Sequence, residues 1–113
     1  MNEDANPAGS LPACPVEMTM TLISNKWRVL IVRDLLQGTK RFGELRRSVG
    51  GVSQKVLTAN LRAMEDQGLV LRKVYAQVPP RVEYSLTPTG RSLRSVIDAM
   101  REWGEGYRRT RGV

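Results

Sequence analysis

Apolar side chains recur along the chain at two different periods. In the middle of the chain they recur every three or four positions, which predicts helices over residues 26–37, 42–49 and 53–67. Farther on the period is two, which is typical of strands and predicts them over residues 69–75 and 81–86. A proline-containing tip separates these strands. The pattern therefore predicts three helices followed by a β-hairpin.

Two further helices are predicted at the ends of this unit, over residues 16–23 and 88–107. Thr87-Pro88 is suited to an N-cap and a first helical position, and Asn25 to the N-cap of the helix over 26–37. The apolar stripe of the last helix is longer than the domain that it must cover, so we expect a homodimer. The predicted dimer interface consists of apolar side chains on the two terminal helices: Val16, Met20, Leu93, Val96, Ile97, Met100 and Trp103.

The order of elements is that of a winged helix-turn-helix. We therefore predict an α+β fold, mostly α, with a two- or three-stranded wing sheet and dimerisation helices over about 14–23 and 88–107. A length of 113 residues suits one domain, placed over 14–113. Residues 1–13, rich in Asn, Pro, Gly and Ser, are expected to form a flexible arm.

Charge is concentrated in the middle of the chain. The net charge is +7, and residues 26–81 alone carry twelve Lys or Arg against four Asp or Glu. Residues 1–25 carry three acidic groups and no Lys or Arg. A central basic block favours a polyanionic partner, nucleic acid rather than membrane, because no apolar run approaches the roughly 20 residues that span a bilayer. The acidic, polar start is unlike a signal peptide, so we expect a cytoplasmic protein.

The helix over 53–67 is the predicted DNA reader. It buries a stripe of Leu57, Leu61 and Met64 and exposes a small, polar or basic face that fits a major groove. Gln54 and Lys55 are expected to bond bases, and its other polar residues to bond phosphates or sugars. The candidate DNA-contacting residues of the helices and the hairpin are Arg41, Ser53, Gln54, Lys55, Thr58, Arg62, Arg72, Lys73 and Arg81.

Each basic residue also has a plainer interpretation. Lys55 and Arg62 taken singly fit a solvated helix face equally well. Arg72 and Lys73 could protect an exposed edge strand from aggregation. Arg81, beside the wing tip, is the favoured wing contact, since an arginine there can reach a phosphate or the minor groove.

The chain has one cysteine, Cys14, and no histidine. These counts exclude an internal disulfide, a histidine-dependent catalytic triad and the usual zinc sites. We expect neither an enzyme nor a metal or cofactor. Trp27 and Trp103 lie on apolar helix faces and are interpreted as core or interface packing rather than as an effector pocket.

Several motifs occur in order and closely resemble those of the HxlR-type regulators. They are CPVE at 14–17, KW at 26–27, RFGELRR at 41–47, SQKVLT at 53–58 and VPPRVEYSLT at 78–87. The resemblance implies a bacterial or archaeal homodimeric transcription factor that binds an inverted repeat in double-stranded DNA. It also implies that the first and last helices form the dimer interface.

Cys14 has two interpretations. In some HxlR-type proteins a cysteine at this position senses oxidants, quinones or aldehydes, and the start of a helix would favour the reactive thiolate. The alternative is that Cys14 is a small buried apolar residue with no sensing role. If Cys14 senses, a disulfide between subunits is the expected product, because each chain has no second cysteine.

The alternative function is that of a protein-interaction module, in which the basic face of the winged helix binds an acidic protein. A protein-docking helix would more often expose apolar anchors, whereas the reader helix exposes Lys55, Thr58 and Arg62. DNA binding is therefore favoured.

Overall fold

A computed structural model describes residues 11–113 of the chain. The elements in chain order are α1 (Pro15–Leu22), α2 (Lys26–Leu35), β1 (Lys40–Arg41), α3 (Phe42–Val49), α4 (Gln54–Asp66), β2 (Val70–Tyr75), β3 (Arg81–Leu86), α5 (Pro88–Arg91) and α6 (Arg94–Arg111). The mostly helical winged fold is confirmed. The predicted flexible arm lies largely outside the described residues, and its last positions, 11–13, precede α1 without regular structure.

The sheet is antiparallel and has three strands in the order β1-β3-β2. In the hairpin, Val70 pairs with Leu86 at one end and Tyr75 with Arg81 at the other. The third strand, which the sequence left open, is formed by Lys40 and its neighbour pairing with β3. We call the β2–β3 hairpin the wing.

The core lies where α2, α3 and α4 meet the base of the sheet. The predicted stripe of α4 is confirmed, since Leu57, Leu61 and Met64 are almost fully buried. Ile31 of α2 and Leu45 of α3 are fully buried beside them. Each such side chain contributes about 1.5–3 kcal/mol when it leaves water, so the orientation of α4 about its own axis is strongly determined.

Side-chain caps determine where three helices begin. The Asn25 Oδ1 accepts a hydrogen bond from the Arg28 amide at 3.0 Å, and the Thr87 Oγ1 accepts one from the Gly90 amide at 3.0 Å, so both predicted N-caps are confirmed. The reader helix starts one residue later than predicted because Ser53 is its N-cap, with its Oγ accepting from the Val56 amide at 3.1 Å.

The single helix predicted over 88–107 is wrong. The chain forms a short α5 and then a longer α6 that continues to Arg111. The reason is that α5 ends in tighter hydrogen bonds: the Leu93 amide bonds the Gly90 carbonyl, and the Ser92 amide is shared between two carbonyls of the first turn. The regular α-helical ladder is therefore interrupted before Arg94.

The start of α6 faces the protomer's own core, which corrects the predicted dimer residue Ile97 and leaves Leu93 a prediction. Ile97 is only 5% exposed and belongs to the core, and Leu93 packs against that core half-buried. The cause is that the first turns of α6 pack on α2. Met100 and Trp103, farther along the same helix, remain exposed.

One buried carboxylate joins α2 to α3. Asp34 accepts hydrogen bonds from the Arg33 Nε at 2.6 Å and from the Ser48 Oγ at 2.8 Å. The bond to Asp34 raises the pKa of Arg33. A buried carboxylate requires such partners, and the three side chains position α3, the helix that precedes the reader.

Candidate nucleic-acid interface

The exposed face of α4 carries the predicted reader residues. Gln54, Lys55 and Arg62 are exposed, and Thr58 is half-buried at the edge of the same face. Ser53 is exposed as well, although its hydroxyl is already used as the N-cap. Four of these predicted residues therefore lie on the solvent-exposed part of α4, and Ser53 lies at its start.

Arg46, which is not among the predicted DNA-contacting residues, stabilises the turn that leads into α4. The Arg46 Nε donates to the Val52 carbonyl at 3.0 Å. Gly50 and Gly51 allow this turn, because their φ values of +77° and +71° suit glycine. Arg47 is exposed beside them, at an open depression of about 640 Å³. In the sequence, the adjacent pair of arginines ahead of two glycines was the signal that could have indicated this role.

Arg41 lies where β1 ends and α3 begins. Its backbone N–H donates to the Glu44 Oε1 at 2.7 Å, while its side chain is exposed. Arg41 also pairs in register with Glu83 of the wing. This predicted DNA contact is thus available at the junction of the helix-turn-helix and the sheet.

A groove between α4 and the wing joins the two predicted contact regions. Thr58, Arg62 and Glu65 of α4 line it from one side, and Arg72 and Tyr84 of the sheet line it from the other. The groove encloses about 260 Å³. Two arginines from different elements, Arg62 of α4 and Arg72 of β2, therefore lie at one concave surface.

The other two basic wing residues lie on the opposite face of the sheet, since side chains alternate along a strand. The Lys73 Nζ is 5.0 Å and the Arg81 Cζ 4.1 Å from the centre of the Tyr75 ring. The Arg81 Nε is also 3.5 Å from the Glu83 Oε2. Arg81 is thus engaged within the wing whereas Arg72 lies beside the reader helix, and the preference for Arg81 as the wing contact stays a prediction.

A second surface is apolar and lies on the terminal helices. Val16 and Met20 of α1 are exposed, as are Met100, Trp103 and Tyr107 of α6. Trp103 is 71% exposed, and its ring stacks on that of Tyr107 with centres 5.3 Å apart. Trp27, in contrast, packs against the core. Trp103 is therefore not part of the protomer's core, and its predicted packing at an interface stays a prediction.

Cys14 precedes α1 as its N-cap residue and is exposed. Its side chain makes no capping hydrogen bond. The alternative of a small buried residue thus does not hold within the protomer.

Family comparison matches residues 22–111 to the model described as HxlR-like helix-turn-helix. The chain belongs to this family. The match includes the turn, α4 and the wing, so this HxlR-like protein is a transcriptional regulator of the helix-turn-helix type. Its relatives are regulators rather than enzymes.

Three relatives illustrate the similarity. The HTH-type transcriptional regulator YybR of Bacillus subtilis is 44% identical over 108 residues, which cover 96% of this chain and 86% of YybR. The redox regulator HypR in its oxidized form is 47% identical with a TM-score of 0.77, covering 82% of this chain and 96% of that one. Diamide-treated YodB from B. subtilis is 33% identical with a TM-score of 0.69, covering 83% and 94%.

Within residues 11–113, no helix is both long enough and apolar enough to cross a membrane. The same part of the chain holds no cluster of three or more His, Cys, Asp or Glu side chains that could bind a metal ion.

Proposed function

We propose that this HxlR-like protein is a homodimer that binds double-stranded DNA sequence-specifically, with α4 in the major groove and the wing beside it. The observation that carries the proposal is the groove that Arg62 of α4 and Arg72 of the wing line together, while Lys55 is exposed on the same helix as Arg62. A helix about 10–12 Å across fits a major groove about 12 Å wide. The buried stripe of α4 keeps its polar face turned outward.

The two terminal helices supply the proposed dimer contact. Val16, Met20, Met100 and Trp103 are large apolar side chains left in water by the protomer, and an exposed patch of this kind is typical of an interaction surface. A two-fold dimer would present two copies of α4. It would therefore recognise an inverted repeat, with half-sites about 34–36 Å apart or a multiple of that distance.

The rival, a protein-docking module, is less well supported. The outward face of α4 carries Gln54, Lys55 and Arg62, and Val56 is its one large apolar side chain with appreciable exposure. Protein interfaces more often centre on aromatic or aliphatic anchors. A basic, polar helix face beside an arginine-lined groove suits phosphates and base edges better.

The first test uses Lys55→Ala. A duplex is selected from a random-sequence pool with the purified wild-type protein, and its affinity is measured by fluorescence anisotropy. Loss of a base-contacting lysine should weaken binding about 10–100-fold and reduce discrimination at one base pair in each half-site. Arg101→Ala is the matched control, because Arg101 lies on α6 and pairs with Asp98.

Two outcomes of this test would reject the proposal. One is a folded Lys55→Ala protein that binds the selected duplex as tightly and as selectively as the wild type. The other is a wild-type protein that enriches no sequence and binds heparin as well as it binds DNA.

We further propose that Cys14 responds to oxidants. Its support is the exposed thiol at the start of α1, close along the chain to the proposed dimer contact Val16. HypR, 47% identical in its oxidized form, is a redox regulator. In a dimer, two Cys14 thiols would form one disulfide, losing two protons and two electrons. Diamide would accept both and become the corresponding hydrazine.

The test treats the protein with diamide and follows it by non-reducing electrophoresis and intact mass. We expect a covalent dimer that dithiothreitol reverses, together with a changed affinity for the selected duplex. Cys14→Ser should stay monomeric on the gel and keep its affinity under the same treatment. An unmodified Cys14 with unchanged binding would exclude oxidant sensing while leaving the DNA-binding proposal intact.

A further inference from the structure

A polar side chain is buried on the inward face of the reader helix. Asn60 of α4 is 7% exposed, within the apolar stripe that includes Leu57 and Leu61. Its Nδ2 donates to the Val56 carbonyl at 2.9 Å. Its Oδ1 accepts from the Arg28 Nε at 2.9 Å and from the Asn25 Nδ2 at 3.0 Å. All of its hydrogen-bonding atoms thus have partners.

Arg28 extends this network to the first helix. Its Nη1 donates to the carbonyl of Leu22, the last residue of α1, at 3.4 Å. Its backbone N–H is bonded to the Asn25 side chain that caps α2. One guanidinium of α2 therefore contacts the end of α1 and the buried face of α4.

The guanidinium of Arg28 is half-buried at this junction. Burial lowers the pKa of Arg28, since desolvation disfavours the charged form. None of the three ion pairs found among residues 11–113 includes Arg28. Its polar contacts are hydrogen bonds to Asn60 of α4 and to the end of α1. The planar fork of a guanidinium can join two helices at defined angles in this way.

We propose that Arg28 is a positioning residue that fixes α1 relative to the reader helix through Asn60. The inference rests on the proposed function, in which α1 contacts the partner protomer and α4 contacts DNA. Because Val16 and Met20 lie on α1 and Lys55 lies on α4, this link sets the distance and angle between the two reader helices of the dimer.

The consequence for DNA is a preference for one spacing between half-sites. One added base pair separates the half-sites by about 3.4 Å and rotates one against the other by about 35°. A rigid link between α1 and α4 penalises such a change, whereas a loose one tolerates it. Arg28 should therefore affect spacing preference more than it affects contact with a single half-site.

The first experiment measures that preference. The duplex selected by the wild-type protein is remade with its spacer shortened or lengthened by one and two base pairs. Arg28→Gln should lower the ratio of affinities between the best spacer and its neighbours about fivefold, with half-site affinity nearly unchanged. Arg28→Lys keeps the charge but loses the fork, and should give an intermediate ratio.

Arg91→Gln is the matched control. The Arg91 Nη1 donates to the Leu86 carbonyl at 3.0 Å, so it also bonds the end carbonyl of an element, but it joins α5 to β3 and lies neither on α4 nor on the two helices proposed to form the dimer contact. Its spacing ratio should equal that of the wild type. Thermal unfolding of all variants shows which of them are folded.

A second experiment needs no DNA. A nitroxide is attached at position 59 in a Cys14→Ser, Ala59→Cys background, since Ala59 is exposed on α4. Pulsed electron paramagnetic resonance then measures the distance between the two reader helices of the dimer. We expect one narrow distribution that broadens about twofold with Arg28→Gln and not with Arg91→Gln.

Each outcome of these two experiments supports or contradicts the proposed role of Arg28. The proposed function, and this inference with it, is rejected if the wild-type protein selects no inverted repeat or if the labelled protein shows no distance between two nitroxides. The inference alone is overturned if the wild-type protein does both and a folded Arg28→Gln protein keeps the wild-type spacing ratio and the narrow distance distribution. Equal changes in Arg28→Gln and Arg91→Gln would also overturn it, because they would indicate general loosening.

Discussion

Replacing Gly90 with alanine is expected to destabilise the domain by about 3 kcal/mol or more, the range in which marginal domains unfold. A Cβ at this position would lie 2.1 Å from the Leu69 carbonyl oxygen and 3.1 Å from the Leu86 Cδ2. The Leu69 carbonyl cannot readily move, since it accepts a hydrogen bond from the Thr87 amide at 3.0 Å. Glycine is therefore required here for close backbone approach.

Urea denaturation and thermal unfolding measure the effect, and a loss of this size should lower the melting temperature by about 10–20 °C. Gly43→Ala is the control, because Gly43 is exposed in α3 and its added Cβ would meet only the tip of Arg47 at 3.5 Å. That change should be neutral or slightly stabilising. If Gly90→Ala unfolded at the same urea concentration as the wild type, the packing of α5 against the hairpin would be wrong.

Periodicity explains which parts of the fold were predictable from sequence. The stripe Leu57, Leu61 and Met64 identified α4 and its buried face, because one face of a helix recurs every 3.6 residues. Strand β1 could not be identified in this way. Two residues show no period, and Lys40 becomes part of the sheet only by pairing with Tyr84 of a distant strand.

Candidate site residues were predicted by type and spacing, but their partners were not. Alternation along β2 separates Arg72 from Lys73, yet only the register places Lys73 opposite Glu83 and Arg81 opposite Tyr75. The position of Asn60 did carry a signal, because it lies on the apolar stripe of α4. Its partner Arg28 is thirty-two residues away along the chain, and no local pattern predicts that contact.

The affinity of the dimer for its selected duplex is expected to fall about 10³-fold when salt rises from about 50 to 200 mM. Arg62 and Arg72 line the groove beside α4, and Arg41 and Arg47 are exposed around it. If three such groups in each protomer neutralise phosphates, a dimer releases counterions from about six, which gives a slope near −5 in a plot of log affinity against log salt.

Substitution separates this phosphate contribution from nonspecific charge. Arg62→Ala removes one contact from each protomer, so the slope should become shallower by about 2, and by a similar amount for each sequence tested. Arg101→Ala removes the same charge from α6 and should leave the slope unchanged. Equal slopes for all three proteins would mean that Arg62 touches no phosphate. A wild-type slope near zero would reject DNA binding through this basic face and would favour an acidic protein partner.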